Sequence, residues 1–116
     1  MGYAKVFEEL TVWQESRIQA NHIYSDFRTN KDFGFKDQIQ RAAVSVMNNI
    51  AEGFERKSRP EFQRFLNIAK ASCGEVRSML YLASDLRYLE KEKADFLINF
   101  TTRLSKKIES FSKKLS

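Results

Sequence analysis

The sequence has one cysteine, one proline, one histidine and four glycines in 116 residues. With a single cysteine, no disulfide can form within the chain, which is typical of intracellular proteins. So few glycines and prolines leave little material for tight turns, and this argues against a β fold of many short strands. No apolar run approaches the roughly 18 residues of a membrane-spanning helix, and we find no signal peptide. We therefore expect a cytoplasmic chain without a membrane segment.

Residue patterns of common enzyme sites are also scarce. His22 has no carboxylate or nucleophile at a helical spacing, and Cys73 falls on a predicted core face, where it packs as a small apolar residue. There is no glutamate-x-x-histidine pair for a di-iron site, no P-loop and no glycine-rich dinucleotide fingerprint. We expect no enzyme activity, no catalytic residue, no cofactor and no metal site. A cluster of converging titratable groups in a deep pocket would revive the enzyme alternative.

What the sequence does contain is helical periodicity. A helix is predicted from about residue 36 to 54, and its apolar residues share one face: Ile39, Ala42, Ala43, Val46, Ile50 and Phe54. Gly53 predicts the end of this helix, because a residue without Cβ adopts the left-handed conformation easily. Ser58 and Glu61 form a capping box, and Pro60 falls in the first turn of the helix that follows.

Residues 11 to 29 form another predicted helix. Thr11 and Gln14 match a capping box at its start, with Thr11 as the cap. The predicted core face of this helix comprises Trp13, Ala20, Ile23, Tyr24 and Phe27.

Two longer helices complete the pattern, over residues 59 to 87 and from residue 90 to the C-terminus. The last of them alternates apolar steps of three and four, the seam of left-handed helix packing. Short links place neighbouring helices antiparallel. We predict an all-α fold, an antiparallel up-down-up-down four-helix bundle with a long third helix, in one domain that spans the whole chain.

The helix predicted over residues 59 to 87 has a wider apolar arc than two bundle neighbours require. On a helical wheel its apolar residues extend to both sides of the core face, and Leu82 falls almost behind it. We infer a second buried surface, most simply a homo-oligomer interface. The residues assigned to it are Phe65, Ile68, Met79 and Leu82. The alternative is a scatter of exposed apolar residues, which is normal on protein surfaces.

The net charge of +5 is unevenly distributed. Residues 1 to 55 contain six Lys or Arg and eight Asp or Glu, whereas residues 56 to 116 contain fourteen and seven. A basic half permits binding to nucleic acid or another polyanion. The predicted nucleic-acid-binding residues are Arg56, Lys57, Arg59, Lys70, Arg77, Arg103, Lys106, Lys107, Lys113 and Lys114. The alternative is that these cations form only the solvated face of the bundle.

A run in the second and third predicted helices is more specific than periodicity. Its core is Asn49-Ile50-Ala51-Glu52-Gly53, preceded by Arg41-Ala42-Ala43 and followed by Arg56, Ser58 and Glu61-Phe62. Further matches are Val12-Trp13, Ile23-Tyr24, Phe33-Gly34 and Tyr88-Leu89. These motifs resemble the bacterial four helix bundle protein family, whose members are also known as the 23S rRNA intervening-sequence proteins.

The resemblance implies a four-helix bundle that assembles as a ring-shaped homopentamer and has no catalytic motif. Some members of the family are encoded within insertions in large-subunit rRNA genes. A related branch, the accessory variability protein of diversity-generating retroelements, binds reverse transcriptase and nucleic acid. The sequence departs from the family pattern at three places: Arg28 replaces a usual proline, Met47-Asn48 a proline-serine pair, and Arg87 a usual glycine.

Two functional hypotheses follow. The leading one is a non-enzymatic homo-oligomer that binds RNA or DNA through rows of basic residues on the surface of the third and fourth helices. The alternative is a protein-interaction scaffold, such as an accessory subunit for a nucleic-acid enzyme, that does not itself contact nucleic acid.

Overall fold

Four α-helices make up most of the computed structural model, which describes residues 2–115 and contains no strand within them. They are α1 (Thr11–Asp26), α2 (Phe33–Phe54), α3 (Arg59–Asp85) and α4 (Lys91–Lys114). A short 3-10 helix, Phe7–Glu9, precedes α1. The all-α prediction is confirmed. The helices differ from their predicted bounds by up to three residues, as when α1 ends at Asp26 instead of residue 29.

Each helix packs against two neighbours, in the order α1, α2, α3, α4 and back to α1. The α2–α3 contact is the most extensive and the α1–α4 contact the least. At one end the Phe35 ring meets Phe27 and Tyr88, with ring centroids 5.7 and 5.2 Å apart. At the other end Phe62 meets Phe111 at 5.6 Å. The start of α2 and the end of α3 are thus adjacent at one end, and the start of α3 and the end of α4 at the other.

The start of α3 agrees with its sequence signals. The Ser58 hydroxyl accepts a hydrogen bond from the Glu61 backbone N–H at 3.2 Å, and Pro60 lies in the first turn. The start of α1 does not agree with its predicted signals. Thr11 is already the first helical residue, and the Gln14 amide donates to the backbone carbonyl of Glu8 at 2.8 Å. The predicted Thr11 capping box is wrong because Leu10, not Thr11, occupies the cap position of α1.

Gly53 has a role other than the predicted one. It lies within α2, is buried, and does not adopt the left-handed conformation. A Cβ atom at this position would lie 2.6 Å from the Phe65 Cβ and 2.9 Å from the Phe62 Cδ1. The prediction of a left-handed helix end here is wrong. The missing side chain instead lets α3 approach α2 closely.

The left-handed conformation occurs after α3, at Arg87, whose φ is 60°. The Tyr88 N–H donates to the Ala83 carbonyl at 2.8 Å, and the Arg87 N–H donates to the Ser84 carbonyl at 3.1 Å. These two bonds form a Schellman motif, in which glycine is the favoured residue at the left-handed position. This explains why the family pattern has glycine where this chain has arginine.

The core face of α1 was predicted only in part. Ala20, Ile23 and Phe27 are buried as expected, whereas Tyr24 is 47% exposed and was assigned wrongly. The structure instead buries two polar residues of α1, Ser16 and Gln19. It also buries Val12, an apolar residue that the prediction left out.

This polar layer reaches the single cysteine. The Ser16 hydroxyl donates to the Val12 carbonyl at 2.6 Å, and the Cys73 thiol donates to the Thr101 carbonyl at 3.4 Å. Burial raises the pKa of the Cys73 thiol to about 11. Cys73 is therefore protonated at neutral pH and serves as a core residue.

Candidate nucleic-acid interface

The helix order brings most of the predicted cations to one end of the bundle. The Phe62 ring lies against Phe54 and Phe111, so that the end of α2, the start of α3 and the end of α4 are adjacent. We call this the basic end, and its predicted cations are Arg56, Lys57, Arg59, Lys106, Lys107, Lys113 and Lys114. Lys113 and Lys114 occupy the last turn of α4, where positive charge suits the helix dipole.

Three of the predicted cations form ion pairs within the protomer. Lys70 lies 3.2 Å from one oxygen of Glu109, and Lys113 lies 3.6 Å from the other. Lys107 lies 2.7 Å from Glu15. The hydrogen bond and charge of Lys70, helped by Lys113, hold the pKa of the Glu109 carboxyl below its ordinary value. Such partly exposed pairs stabilise the fold little, so a phosphate can replace the carboxylate at small cost.

Arg56 lies over an aromatic ring instead of in an ion pair. Its guanidinium is 4.8 Å from the centre of the Phe65 ring, and that of Arg64 is 5.4 Å away. Phe65 is only 8% exposed. The apolar surface assigned to an oligomer interface at this residue is thus already covered within the protomer.

Besides Arg56, five predicted cations are exposed and have no carboxylate within ion-pair distance among residues 2–115. They are Lys57, Arg59, Arg103, Lys106 and Lys114. Arg77, by contrast, is half-buried on α3. Lys106 and Lys114 line a cleft of about 430 Å³ between α4 and the start of α1.

The exposed side of α3 carries apolar residues away from the bundle core. Ile68, Leu82 and Leu86 are 43%, 46% and 47% exposed, and we call them the α3 apolar face. Ile68 and Leu86 are about five full helical turns apart, so they point in the same direction, and Leu82 lies within about 40° of them. Met79, also assigned to the interface, is partly buried against the core.

No three His, Cys, Asp or Glu side chains in the described chain are grouped so as to hold a metal ion. None of the helices described above is long and apolar enough to span a bilayer. His22, the single histidine, packs edge-on against Phe96 and Phe100, with ring centroids 5.6 and 6.1 Å away.

A family model described as the 23S rRNA-intervening sequence protein matches residues 8–110 of the chain. The chain belongs to this family. A similar solved structure is that of a protein with unknown function from the S23 ribosomal protein family of Bacteroides thetaiotaomicron. It is 29% identical, with a TM-score of 0.83, and the match covers 89% of this chain and 99% of that one. The comparison with curated proteins finds no match.

Membership of the 23S rRNA-intervening sequence protein family confirms the resemblance inferred from the Asn49-Ile50-Ala51-Glu52-Gly53 motif. The motif lies where α2 approaches α3, with Ile50 in the core and Gly53 close against Phe62 and Phe65 of α3. At these two positions the motif therefore specifies the packing of the bundle.

Proposed function

We propose that this member of the 23S rRNA-intervening sequence protein family is a non-enzymatic homo-oligomer that binds RNA or DNA through its basic end and the adjoining face of α4. One observation carries the proposal: six predicted cations, Arg56 among them, are exposed without a carboxylate partner in the part of the chain that the structure describes. Exposed lysines and arginines bind nucleic acid by neutralising phosphates and releasing counterions.

The ion-paired lysines extend this surface. Lys70, Lys107 and Lys113 exchange a carboxylate partner for a phosphate when nucleic acid binds, because their present pairs are weak and partly exposed. Homo-oligomers commonly have closed symmetry, so each protomer presents the same basic end. Several weak sites on one assembly then bind a long strand more tightly than any one of them alone.

Fluorescence anisotropy with a labelled RNA or DNA strand, measured at 50 and 200 mM salt, tests the nucleic-acid proposal. We expect affinity to fall steeply with salt, and replacing Lys106 and Lys114 by glutamine to weaken binding and reduce the salt slope by about two. The matched control replaces Arg28 and Lys31 by glutamine, which removes the same charge near the other end of the bundle. Equal affinity for both double variants would contradict the assignment of the basic end.

The α3 apolar face supports the homo-oligomer. Leu82→Glu places a charge on this face, and we expect it to dissociate the assembly while each protomer stays helical. Tyr81→Glu is the control, because Tyr81 is 57% exposed on the same helix but points away from that face. A Leu82→Glu protein that keeps the native mass would refute this placement of the interface.

The same apolar face favours a second candidate, a protein-interaction scaffold without direct nucleic-acid contact. Such a scaffold holds its partner by apolar contacts, so binding depends little on salt. A pull-down that returns only nucleic acid would count against it.

A further inference from the structure

The cleft at the basic end combines cations with an apolar floor. It lies between α4 and the segment that leads into α1, and its volume of about 430 Å³ falls in the range typical of sites for small organic molecules. The floor includes Leu10, Val12 and Phe111, and the lining cations are Lys106, Lys107 and Lys114. Leu10 and Val12 are 4% and 6% exposed, so packing holds them in place, and Phe111 is half-buried beside them.

The acidic residues near the cleft do not cancel its positive charge. Glu15 pairs with Lys107 alone. Glu9 also lines the cleft and contributes one negative charge, and its carboxylate accepts hydrogen bonds from the backbone N–H groups of Lys5 and Val6, at 2.8 and 3.4 Å. The three lysines that line the cleft outnumber these two carboxylates. No carboxylate in residues 2–115 lies within ion-pair distance of Lys106 or Lys114, so these two cations remain available to an anion.

The start of α1 adds to this attraction. Thr11 and Val12 line the cleft and belong to the first turn of α1, which has no side-chain cap and no acidic residue. The N–H groups of a first turn have no acceptor within the helix and carry a partial positive charge. The lysines and the apolar floor define the site, and the helix start strengthens the positive potential within it.

We propose that this cleft binds one nucleotide of an unpaired strand, with its base against the apolar floor and its phosphates on Lys106 and Lys114. The inference rests on the proposed nucleic-acid function and narrows it to single strands. In a duplex the bases stack on one another, and non-specific contacts reach only the phosphates. An unpaired base can leave its neighbours and lie on an apolar surface of the protein. A row of lysines without such a floor would favour the duplex, whose charge density is higher.

Fluorescence anisotropy with a single strand and a blunt duplex of the same sequence, at one salt concentration, tests the cleft. We expect the single strand to bind at least about fivefold tighter, the lower end of the gain from one stacked base. Ser110→Leu narrows the cleft without changing its charge, since Ser110 is an exposed lining residue. This variant should lose the preference for the single strand and keep its affinity for the duplex.

Asn99→Leu is the matched control, because Asn99 is exposed on α4 but does not line the cleft. It should keep the preference for the single strand. Equal affinity for strand and duplex in the unaltered protein, or a preference that survives Ser110→Leu, would overturn the cleft proposal and leave the proposed function standing. No binding of either form would contradict the proposed function, and the cleft proposal would fail with it.

Discussion

Replacing Gly53 with alanine tests whether α3 packs against α2 too closely at this residue to admit a side chain. The added Cβ would lie 2.6 Å from the Phe65 Cβ, 2.9 Å from the Phe62 Cδ1 and 3.4 Å from the Phe62 carbonyl oxygen. The nearest of these atoms is attached directly to the backbone of α3. A rotation of the Phe65 side chain cannot move it away, so α3 itself must shift.

Two opposing terms set the expected size of the effect. Alanine is better than glycine in a helix interior by about 1 kcal/mol. Overpacking a well-packed core costs about 1–3 kcal/mol, and a contact that only a helix movement can relieve belongs in the upper part of that range. We therefore expect Gly53→Ala to lower the free energy of unfolding by about 1–2 kcal/mol.

Gly74→Ala is the matched control, since Gly74 lies within α3 and a Cβ there meets nothing within 4 Å. It should raise the free energy of unfolding by up to about 1 kcal/mol, the helix-propensity gain alone. Urea unfolding followed by circular dichroism, at one protomer concentration, measures both changes. If Gly53→Ala proves as stable as Gly74→Ala, the close approach of α2 and α3 is wrong.

Three further predictions concern helix ends and an ion pair. Arg87→Gly should raise the free energy of unfolding by about 1 kcal/mol, since an arginine at φ 60° is strained, and an unchanged thermal midpoint would contradict this. Ser58→Ala removes the cap on the Glu61 N–H and should cost about 1 kcal/mol in urea unfolding; no loss would show that the cap contributes nothing. Lys70 lowers the pKa of Glu109, so the Glu109 carboxylate takes up a proton less readily in the native state than in the unfolded state. The stabilisation from this ion pair is therefore lost as the pH falls through the lowered pKa. Urea midpoints between pH 7 and 3 should therefore fall less steeply for Glu109→Gln, and curves of equal slope would refute this.

The bundle was predictable where apolar periodicity is long and regular. The predicted core positions of α2 are buried except for the half-buried Phe54, and most apolar positions on the inner faces of α3 and α4 are buried too, because one apolar face of each helix meets its neighbours. In α1 the buried Ser16 and Gln19 interrupt the apolar pattern, and Tyr24 was placed on the core face by mistake. Polar burial depends on partners in other elements, such as Cys73 on α3 beside Gln19. Sequence spacing within α1 carries no signal of them.

The role of Gly53 illustrates a different limit. A glycine near a helix end suits either a left-handed conformation or a close contact with another helix. Only the packing of α3 against α2 distinguishes the two uses, and it selects the second.

The candidate site was predictable only as rows of charge. A helical wheel places the lysines of α4 on one face, but it cannot show that Lys107 meets Glu15 of α1 or that Lys70 of α3 meets Glu109. The cleft was also missed, because its floor includes Leu10 from a segment without clear periodicity. Both features arise from contacts between helices that are distant in the sequence.

The most direct test of the account is light scattering on a sizing column, with and without a short RNA strand and a short DNA duplex, at low and moderate salt. We predict an oligomer whose mass increases with nucleic acid and returns to its starting value as salt rises. A monomer would contradict the proposed nucleic-acid-binding assembly. An oligomer whose mass stays the same when nucleic acid is added at low salt would contradict it too.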